Sequence, residues 1–448
     1  MPFEIEPEQL FARVRDELLS KQRLPLATYR LQFNSRFRFT DAAQIVPYLA
    51  RLGITDVYAS PYLKASPGSA HGYDVIDYQA LNPEIGSAEE HAALCARLSA
   101  HQLGQVLDFV PNHMGIEKGN AMWDDVLENG PSSIHARVFD IDWDPVKEEL
   151  KNKVLLPVLG DQYGIVLENG QLRLVFRDGA FALHYYDRVF PIAPRQSAVI
   201  LRHRLEELEK ELTNQREQFD ELQSIITSIE HLPQRTETEP AKLIERNREK
   251  EIVKRRLASL VAQSDRIAAL IERNVEVFNG TPEDARSFDL LDQVLGCCSY
   301  RLAHWGVAGE EINYRRFFDI NGLAAVRMED REVFEEAHQL VFRWLAEERI
   351  SGLRIDHPDG LFDPTAYFLN LQEQYFIVHA ALRYREAGGA EQDWPAWEAR
   401  LRSLVREEIG SAAETPLAKA LYVVVEKIQG GKERIPDSWA IHGTTGYR

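Results

Sequence analysis

The strongest constraint on this chain is an alternation: short runs rich in β-branched and aromatic residues, separated by longer runs with helical periodicity. LATYRLQFN (26–34) reads as a strand, and DAAQIVPYLARLG (41–53) as a helix stopped by Gly53. TDVYASPY (55–62) reads as a second strand. SAEEHAALCARLSAHQLG (87–104) reads as a helix whose Ser87 and Glu90 stand at the spacing that lets each side chain accept the other's backbone N–H. QVLDFVPN (105–112) is a third strand. A helix between each successive pair of strands predicts parallel neighbours joined by crossovers. The rhythm returns late in the chain. VFEEAHQLVFRWLAEE (333–348) reads as a helix, and ISGLRIDH (350–357), ALYVVVEKI (420–428) and the start of HGTTGYR (442–448) read as strands. That makes about six strands, where a closed (β/α)8 barrel needs eight.

The interruption has its own character. From about 115 to 200 the sequence is punctuated by Trp, Gly and Pro, with strand-like pieces such as GQLRLVFRDGAFALHYY (170–186). A charged stretch follows in which Leu201, Leu205, Leu208, Leu212, Phe219, Leu222, Ile226 and Ile229 form one apolar stripe. HLPQRTETEP (231–240) breaks it, and Ile244, Ile252, Leu260, Ile267 and Ile271 continue the pattern through 241–277. A long antiparallel helical hairpin over 200–277 is predicted, its charges forming a solvated face. The expected organisation is therefore a first barrel part (1–114, strands 1–3), an inserted region (115–330) and a barrel continuation (331–448, strands 4 to about 6).

Composition narrows the function classes. With 448 residues and 44% hydrophobic content the chain has ample material for a core. A formal charge of −18 argues against nucleic acid as a partner, since its recognition needs a basic face. The three cysteines, Cys95, Cys297 and Cys298, form neither a disulfide framework nor paired metal ligands. There is no HExxH and no Cys/His set with ligand spacing, so no metal is expected. No apolar run approaches membrane-spanning length, and the N-terminus carries no basic and apolar targeting signature, which points to a cytoplasmic protein with no membrane contact.

Four stretches hold residues that could carry chemistry. In ISGLRIDHPDG, Arg354 and Asp356 are two apart on a strand and leave the same face, so a carboxylate kept ionised by the arginine, as a nucleophile requires, competes with a plain structural ion pair. Glu426 ends the apolar run YVVVE, where partial desolvation would let it start protonated as a general acid; a solvated cap is the alternative. DFVPNHMG places Asp108, Asn112 and His113 at the end of the third strand, where barrel sites collect, either binding a ligand or tying down the insertion. SAHGYDVIDY offers His71, Tyr73, Asp74 and Asp77 in what reads as a loop, an aromatic and polar set suited to a pyranose ring but equally to packing.

Taken in order, these stretches resemble the conserved blocks of the alpha-amylase family: DFVPNH the first block, GLRID the nucleophile block and VVVEKI the acid/base block. The resemblance implies an α/β fold, a (β/α)8 TIM barrel with a domain inserted after the third strand. It also implies that Asp356 is the nucleophile, Glu426 the acid/base, Arg354 the nucleophile's neighbour and Asp108 a supporting carboxylate. Tyr73 and His113 would line the sugar site, with His71, Asn112 and His357 as further substrate-binding candidates. Within the family, ATYRLQF, SPYLKASPGSAHGYDV, IDHPDGLFDP and IHGTTGY resemble the maltooligosyltrehalose synthase subgroup. This implies an isomerase that converts the reducing-end α-1,4 bond of maltooligosaccharides or α-1,4-glucans to an α,α-1,1 bond, without a cofactor. It also implies functional pairing with a maltooligosyltrehalose trehalohydrolase. A hydrolase of α-glucans shares every one of these blocks. The family's third acid has no counterpart, since Glu433 and Asp437 both precede TTGY, and Arg448 stands where an acidic residue is expected. The expectation is therefore a barrel incomplete at its C-terminus, a truncated piece that is inactive alone and would at most bind glucan.

Overall fold

In the computed structural model, residues 6–211, 216–410 and 415–445 are described; Leu212, Gly446, Tyr447 and Arg448 from the sequence reading lie outside this set. The chain divides into two compact units, Met1–Gly115 with Ala325–Arg448, and Ile116–Ala324.

The first unit is built on six strands: β1 (Thr28–Leu31), β2 (Asp56–Ala59), β3 (Gly104–Phe109), β4 (Gly352–Ile355), β5 (Tyr422–Val425) and β6 (Gly443–Thr444). They pair in sequence order, every pair parallel, giving a curled half-barrel sheet of the (β/α) type. The crossovers are helical. Helix α1 (Pro7–Ser20) precedes β1, α2 (Phe39–Arg51) and α3 (Ala88–Ala100) separate β1, β2 and β3, and α4 (Arg331–Ala346), α5 (Pro364–Glu386) and α6 (Trp394–Ile409) flank β4. Ser87 and Glu90 cap α3 reciprocally: the Glu90 N–H donates to Ser87 Oγ at 3.2 Å and the Ser87 N–H to Glu90 Oε2 at 2.8 Å.

Alternation along the strands sorts the sheet's two faces. Val57, Ala59, Leu107, Phe109, Leu353, Ile355, Val423 and Val425 are all buried on one face. The other face carries Tyr58, Asp108, Arg354 and the residues two beyond. Helices α1, α5 and α6 close a separate core of Leu10, Val14, Phe376, Ala380, Leu401 and Val405.

Two sequence expectations change here. The stretch 69–78 reads as a loop, but its second half belongs to a strand, Val75–Leu81, paired antiparallel with Leu63–Ala65. Val75, Ile76 and Tyr78 are buried in it, and tertiary burial overrides the local Gly and Asp signals. In the second unit, the charged region is more broken than a two-armed hairpin. Its helices are Pro194–Arg202, Leu205–Glu211, Arg216–Glu230, Pro240–Gln263 and Asp265–Phe278. The first break falls at Arg204, which has a left-handed φ of 56°. The apolar stripe holds on Leu201, Leu208, Phe219, Leu222, Ile226 and Ile229, and again on Leu260, Ile267 and Ile271. It fails at Ile244, which is 64% exposed, because the buried face of its helix begins with charged residues: Arg246, Lys250, Val253, Leu257 and Leu260. Lys250 Nζ reaches Asp125 at 2.6 Å and Glu128 at 2.8 Å, and Arg246 Nε donates to Asn129 Oδ1 at 3.0 Å. Ion pairing of Lys250 and hydrogen bonding of Arg246 make burial of those charges tolerable, and a purely apolar template cannot see either. Elsewhere in this unit Leu172–Arg177, Ala180–Tyr185 and Arg188–Pro191 form an antiparallel sheet, and Val154–Leu159 pairs parallel with Tyr300–His304.

Candidate active site

The C-terminal ends of β3, β4 and β5 bring the sequence candidates together. Parallel ladder bonds continue one residue past the strands: the Asp356 N–H donates to the Phe109 carbonyl at 2.9 Å, the Glu426 N–H to the Ile355 carbonyl at 2.9 Å and the Thr445 N–H to the Val425 carbonyl at 2.8 Å. Asp356 and Glu426 are thus fixed by backbone hydrogen bonds at equivalent rungs of neighbouring strands. Both follow by two residues a position on the same sheet face, Arg354 and Val424, which are register partners.

Asp108 is the hub. Its carboxylate is fully buried and receives four donors. Oδ1 accepts from Arg354 Nη1 at 2.8 Å. Oδ2 accepts from Arg30 Nη1 at 3.0 Å, Tyr58 OH at 3.1 Å and Tyr73 OH at 2.5 Å. Arg354 Nη1 is shared, donating also to Asp356 Oδ1 at 2.6 Å. The result is a continuous line, Arg30–Asp108–Arg354–Asp356, of alternating sign. Asp108, Arg354 and Asp356 are register or near-register neighbours because β3 and β4 align Asp108 with Arg354.

The electrostatics differ from the simplest sequence reading, in which Arg354 alone holds Asp356 ionised. Burial is the larger influence: Asp356 is 8% exposed, and its pKa is pushed up to about 6. Arg354 opposes that rise, while the negative charges of Asp108 and Glu426 add to it. The arginine therefore limits the penalty of burial without cancelling it. Tyr58 and Tyr73 are both pushed upward, first by burial and then by Asp108, so both stay protonated and donate. Arg354 is raised despite its burial, chiefly by Asp108, and stays charged.

The remaining candidates fall into two groups. Tyr73 sits in the cluster itself, and its ring lies 5.9 Å from the Arg354 guanidinium carbon. His71 is exposed beside it, with ring centroids 6.0 Å apart, and its Nδ1 accepts the Tyr73 N–H at 3.1 Å. Asn112 and His113, each 1% exposed, are buried; Asn112 Nδ2 lies 3.3 Å from His113 Nδ1. Burial lowers the His113 pKa to about 3, with the nearby His357 adding to the effect, so its imidazole is neutral. His357 follows Asp356 in a left-handed conformation, φ 46° and ψ 55°, a strained state for a non-glycine residue. The turn it starts packs tightly on Asn112: a Cβ at Gly360 would stand 2.4 Å from Asn112 Oδ1 and 2.5 Å from His357 Cδ2, so only glycine fits there.

Several participants were not singled out by the sequence. Arg30 and Tyr58 complete the Asp108 shell. Lys427, next to Glu426 and 7% exposed, pairs with Asp359 at 2.8 Å and Glu433 at 2.7 Å, so it ties the loop after β4 to the loop after β5. The available signals were slight: Arg30 lies in ATYRLQF and Lys427 in VVVEKI, but nothing local distinguishes either from a surface cation. Among the described residues no group of three or more His, Cys, Asp or Glu side chains is arranged to hold a metal ion, and no helix is long and apolar enough to cross a membrane. Two clefts of this unit lie away from the cluster. One of about 700 Å3 is lined by Glu336, Arg343, Gln374 and Arg402, and one of about 440 Å3 by Gly104, Ser351 and His379 near the strands' N-terminal ends.

The alpha-amylase catalytic domain profile matches residues 42–151. A maltooligosyl trehalose synthase of Mycobacterium tuberculosis is 30% identical over 376 residues, covering 81% of this chain and 35% of its own length. An intracellular maltogenic amylase of Bacillus subtilis is 33% identical over 150 residues, covering 33% of this chain and 24% of its own length. The maltooligosyltrehalose synthase structure from Arthrobacter ramosus superposes with a TM-score of 0.58 at 31% identity, covering 94% of this chain and 37% of that one. The chain therefore spans little more than a third of the length of the synthases it resembles. With its parallel half-barrel and its carboxylates at the strand ends, the chain belongs to the alpha-amylase family, glycoside hydrolase family 13.

Proposed function

We propose that this protein takes part in an intramolecular transglucosylation that turns the reducing-end α-1,4 bond of a maltooligosaccharide into an α,α-1,1 bond. The observation that carries the reading is the pairing of Asp356 and Glu426 at equivalent rungs of adjacent strands, with Arg354 and Asp108 behind the first. Asp356 attacks the anomeric carbon of the penultimate glucose, while Glu426 gives its proton to the leaving 4-oxygen of the terminal glucose. The glycosyl–oxygen bond to that sugar breaks and an ester to Asp356 forms. The released glucose then turns. Its anomeric hydroxyl attacks the anomeric carbon of the glycosyl ester as Glu426 takes the hydroxyl proton; the bond from that carbon to Asp356 breaks, which restores both carboxyl groups and gives net retention. Asp108 orients Arg354 by accepting its hydrogen bond. Tyr73 and His71 form the aromatic flank for a sugar ring, and His357 and the buried Asn112–His113 pair support the Asp356 loop. The product has no reducing end, and pairing with a maltooligosyltrehalose trehalohydrolase would release its α,α-1,1-linked disaccharide.

The test uses the full-length product of its gene, with maltopentaose as substrate. Non-reducing product is expected, with Asp356→Asn and Glu426→Gln each lowering its rate at least about 1,000-fold, as loss of a covalent or proton-transfer group does. Glu426→Gln should lose far less with a glycosyl fluoride, whose leaving group needs little protonation. New reducing ends in place of non-reducing product would make the protein a glucan hydrolase. Activity retained in Asp356→Asn would remove the nucleophile assignment.

A further inference from the structure

We infer that Arg30 is a positioning residue for the reaction, holding the Asp108 carboxylate from the far side so that Arg354 is left to serve Asp356. This rests on the reading of Asp356 as nucleophile. Asp108 is wholly buried, and a single guanidinium would suffice to pair it. Instead it has two, on opposite oxygens, one from β1 and one from β4. Arg354 Nη1 divides its hydrogen bonding between Asp108 Oδ1 and Asp356 Oδ1, at 2.8 and 2.6 Å. Two carboxylates competing for one guanidinium would pull it toward the more deeply buried of the two. Arg30 changes that balance by supplying one cation per carboxylate.

The geometry of Arg30 is built for this purpose on three sides. Its Nη1 meets Asp108 Oδ2 at 3.0 Å, its Nη2 donates to Tyr73 OH at 2.9 Å and to Gln32 Oε1 at 3.3 Å, and its guanidinium carbon lies 4.3 Å from the Tyr58 ring centroid. Tyr73 in turn donates to the same Asp108 oxygen. Arg30 is thus held by a planar fork and a ring face, contacts that an ammonium cannot reproduce together. Asp356 is faced by Arg354 from its own strand, Asp108 from β3 and Glu426 from β5, with His357 next in sequence. Arg30 reaches it only through Asp108, Tyr58 and Tyr73. Removing the Arg30 charge leaves the cluster one unit more negative and frees Asp108 to draw Arg354 away.

The experiment compares Arg30→Gln and Arg30→Lys with the unsubstituted protein by the pH dependence of kcat/KM on maltopentaose. Arg30→Gln should move the acid limb up by about one unit, the size expected for loss of a nearby opposite charge. It should also lower kcat at pH 7 by roughly 10- to 100-fold while KM changes less than about threefold. Arg30→Lys should keep the acid limb near its original position, because the charge remains, yet recover only part of kcat. An unmoved acid limb in a folded Arg30→Gln, with losses confined to thermal stability or KM, would overturn the inference and make Arg30 a structural residue. If Arg30→Gln does not fold, Arg30→Lys decides alone: a full kcat contradicts the proposal, and a reduced kcat at unchanged KM supports it. Failure of the nucleophile reading is seen separately, as activity retained in Asp356→Asn.

Discussion

Each unit of this protein buries a cluster of charges, and the two clusters are solved differently. In the inserted unit Lys250 is 5% exposed at its side chain and meets Asp125 and Glu128, while Lys254 closes on Glu128 at 2.6 Å. Burial alone would lower the Lys250 pKa, but Glu128 and Asp125 outweigh it and the ammonium is held above its ordinary range. Asp125 and Glu128, the carboxylates that Lys250 meets, each have a cation within hydrogen-bond distance. In the barrel unit the line Arg30–Asp108–Arg354–Asp356 ends on a carboxyl that shares its guanidinium and whose pKa is pushed up to about 6. A closed cluster contributes structure. An open one leaves a group poised near neutrality, which is what chemistry at pH 7 uses and what stability pays for.

The contrast can be broken most forcefully at the closed cluster. Lys250→Met leaves Asp125 without its cation and Glu128 with Lys254 alone, and should lower stability by about 3–5 kcal/mol, as removal of one partner from a buried pair does. Chemical denaturation of the unit 116–324 in the intact protein, followed by tryptophan fluorescence, reads this directly. A loss below 1 kcal/mol would mean that the lysine is not pairing buried carboxylates.

At the open cluster the sign reverses. The Asp356 pKa is raised in the folded protein, so the native state holds that proton more tightly than the unfolded chain. The associated cost is absent below about pH 4, grows as pH rises through about 6 and is complete at neutral pH. Asp356→Asn should therefore leave Tm unchanged at pH 4 and raise it at pH 7, corresponding to about 1–3 kcal/mol, while Arg354 keeps its bond to Asp108. Equal or lower stability of the variant at pH 7 would show that Asp356 is held like an ordinary salt-bridged carboxylate.

The same contrast explains what the sequence revealed. Strand and helix alternation showed the half-barrel, and the ends of ISGLRID, YVVVE and QVLDF showed three of its carboxylates, because each of those signals is local. Arg30, Tyr58 and Tyr73 converge on Asp108 from three separate segments, joined only by register and a loop, which no window along the chain samples. The downward shift of His113 and the upward shift of Asp356 are products of burial, so they became visible only with the fold. The helix from Pro240 misled for a related reason: its buried face starts on Arg246 and Lys250, whose partners come from a helix more than a hundred residues earlier. The strand Val75–Leu81 shows the remaining gap, since its glycine- and aspartate-rich approach hid a buried alternation.

The central claim is that the open cluster makes Asp356 the nucleophile, and a covalent trap tests it most directly. The purified protein would be incubated with a 5-fluoro-α-glucosyl fluoride, whose activated leaving group permits glucosylation while the ring fluorine slows breakdown of the ester, then digested and mapped by mass spectrometry. The account predicts one glucosyl ester, on the peptide that contains Asp356, and none in Asp356→Asn. A label on Asp108, Glu426 or any other carboxylate, or unlabelled Asp356 in protein that turns over maltopentaose, would contradict it.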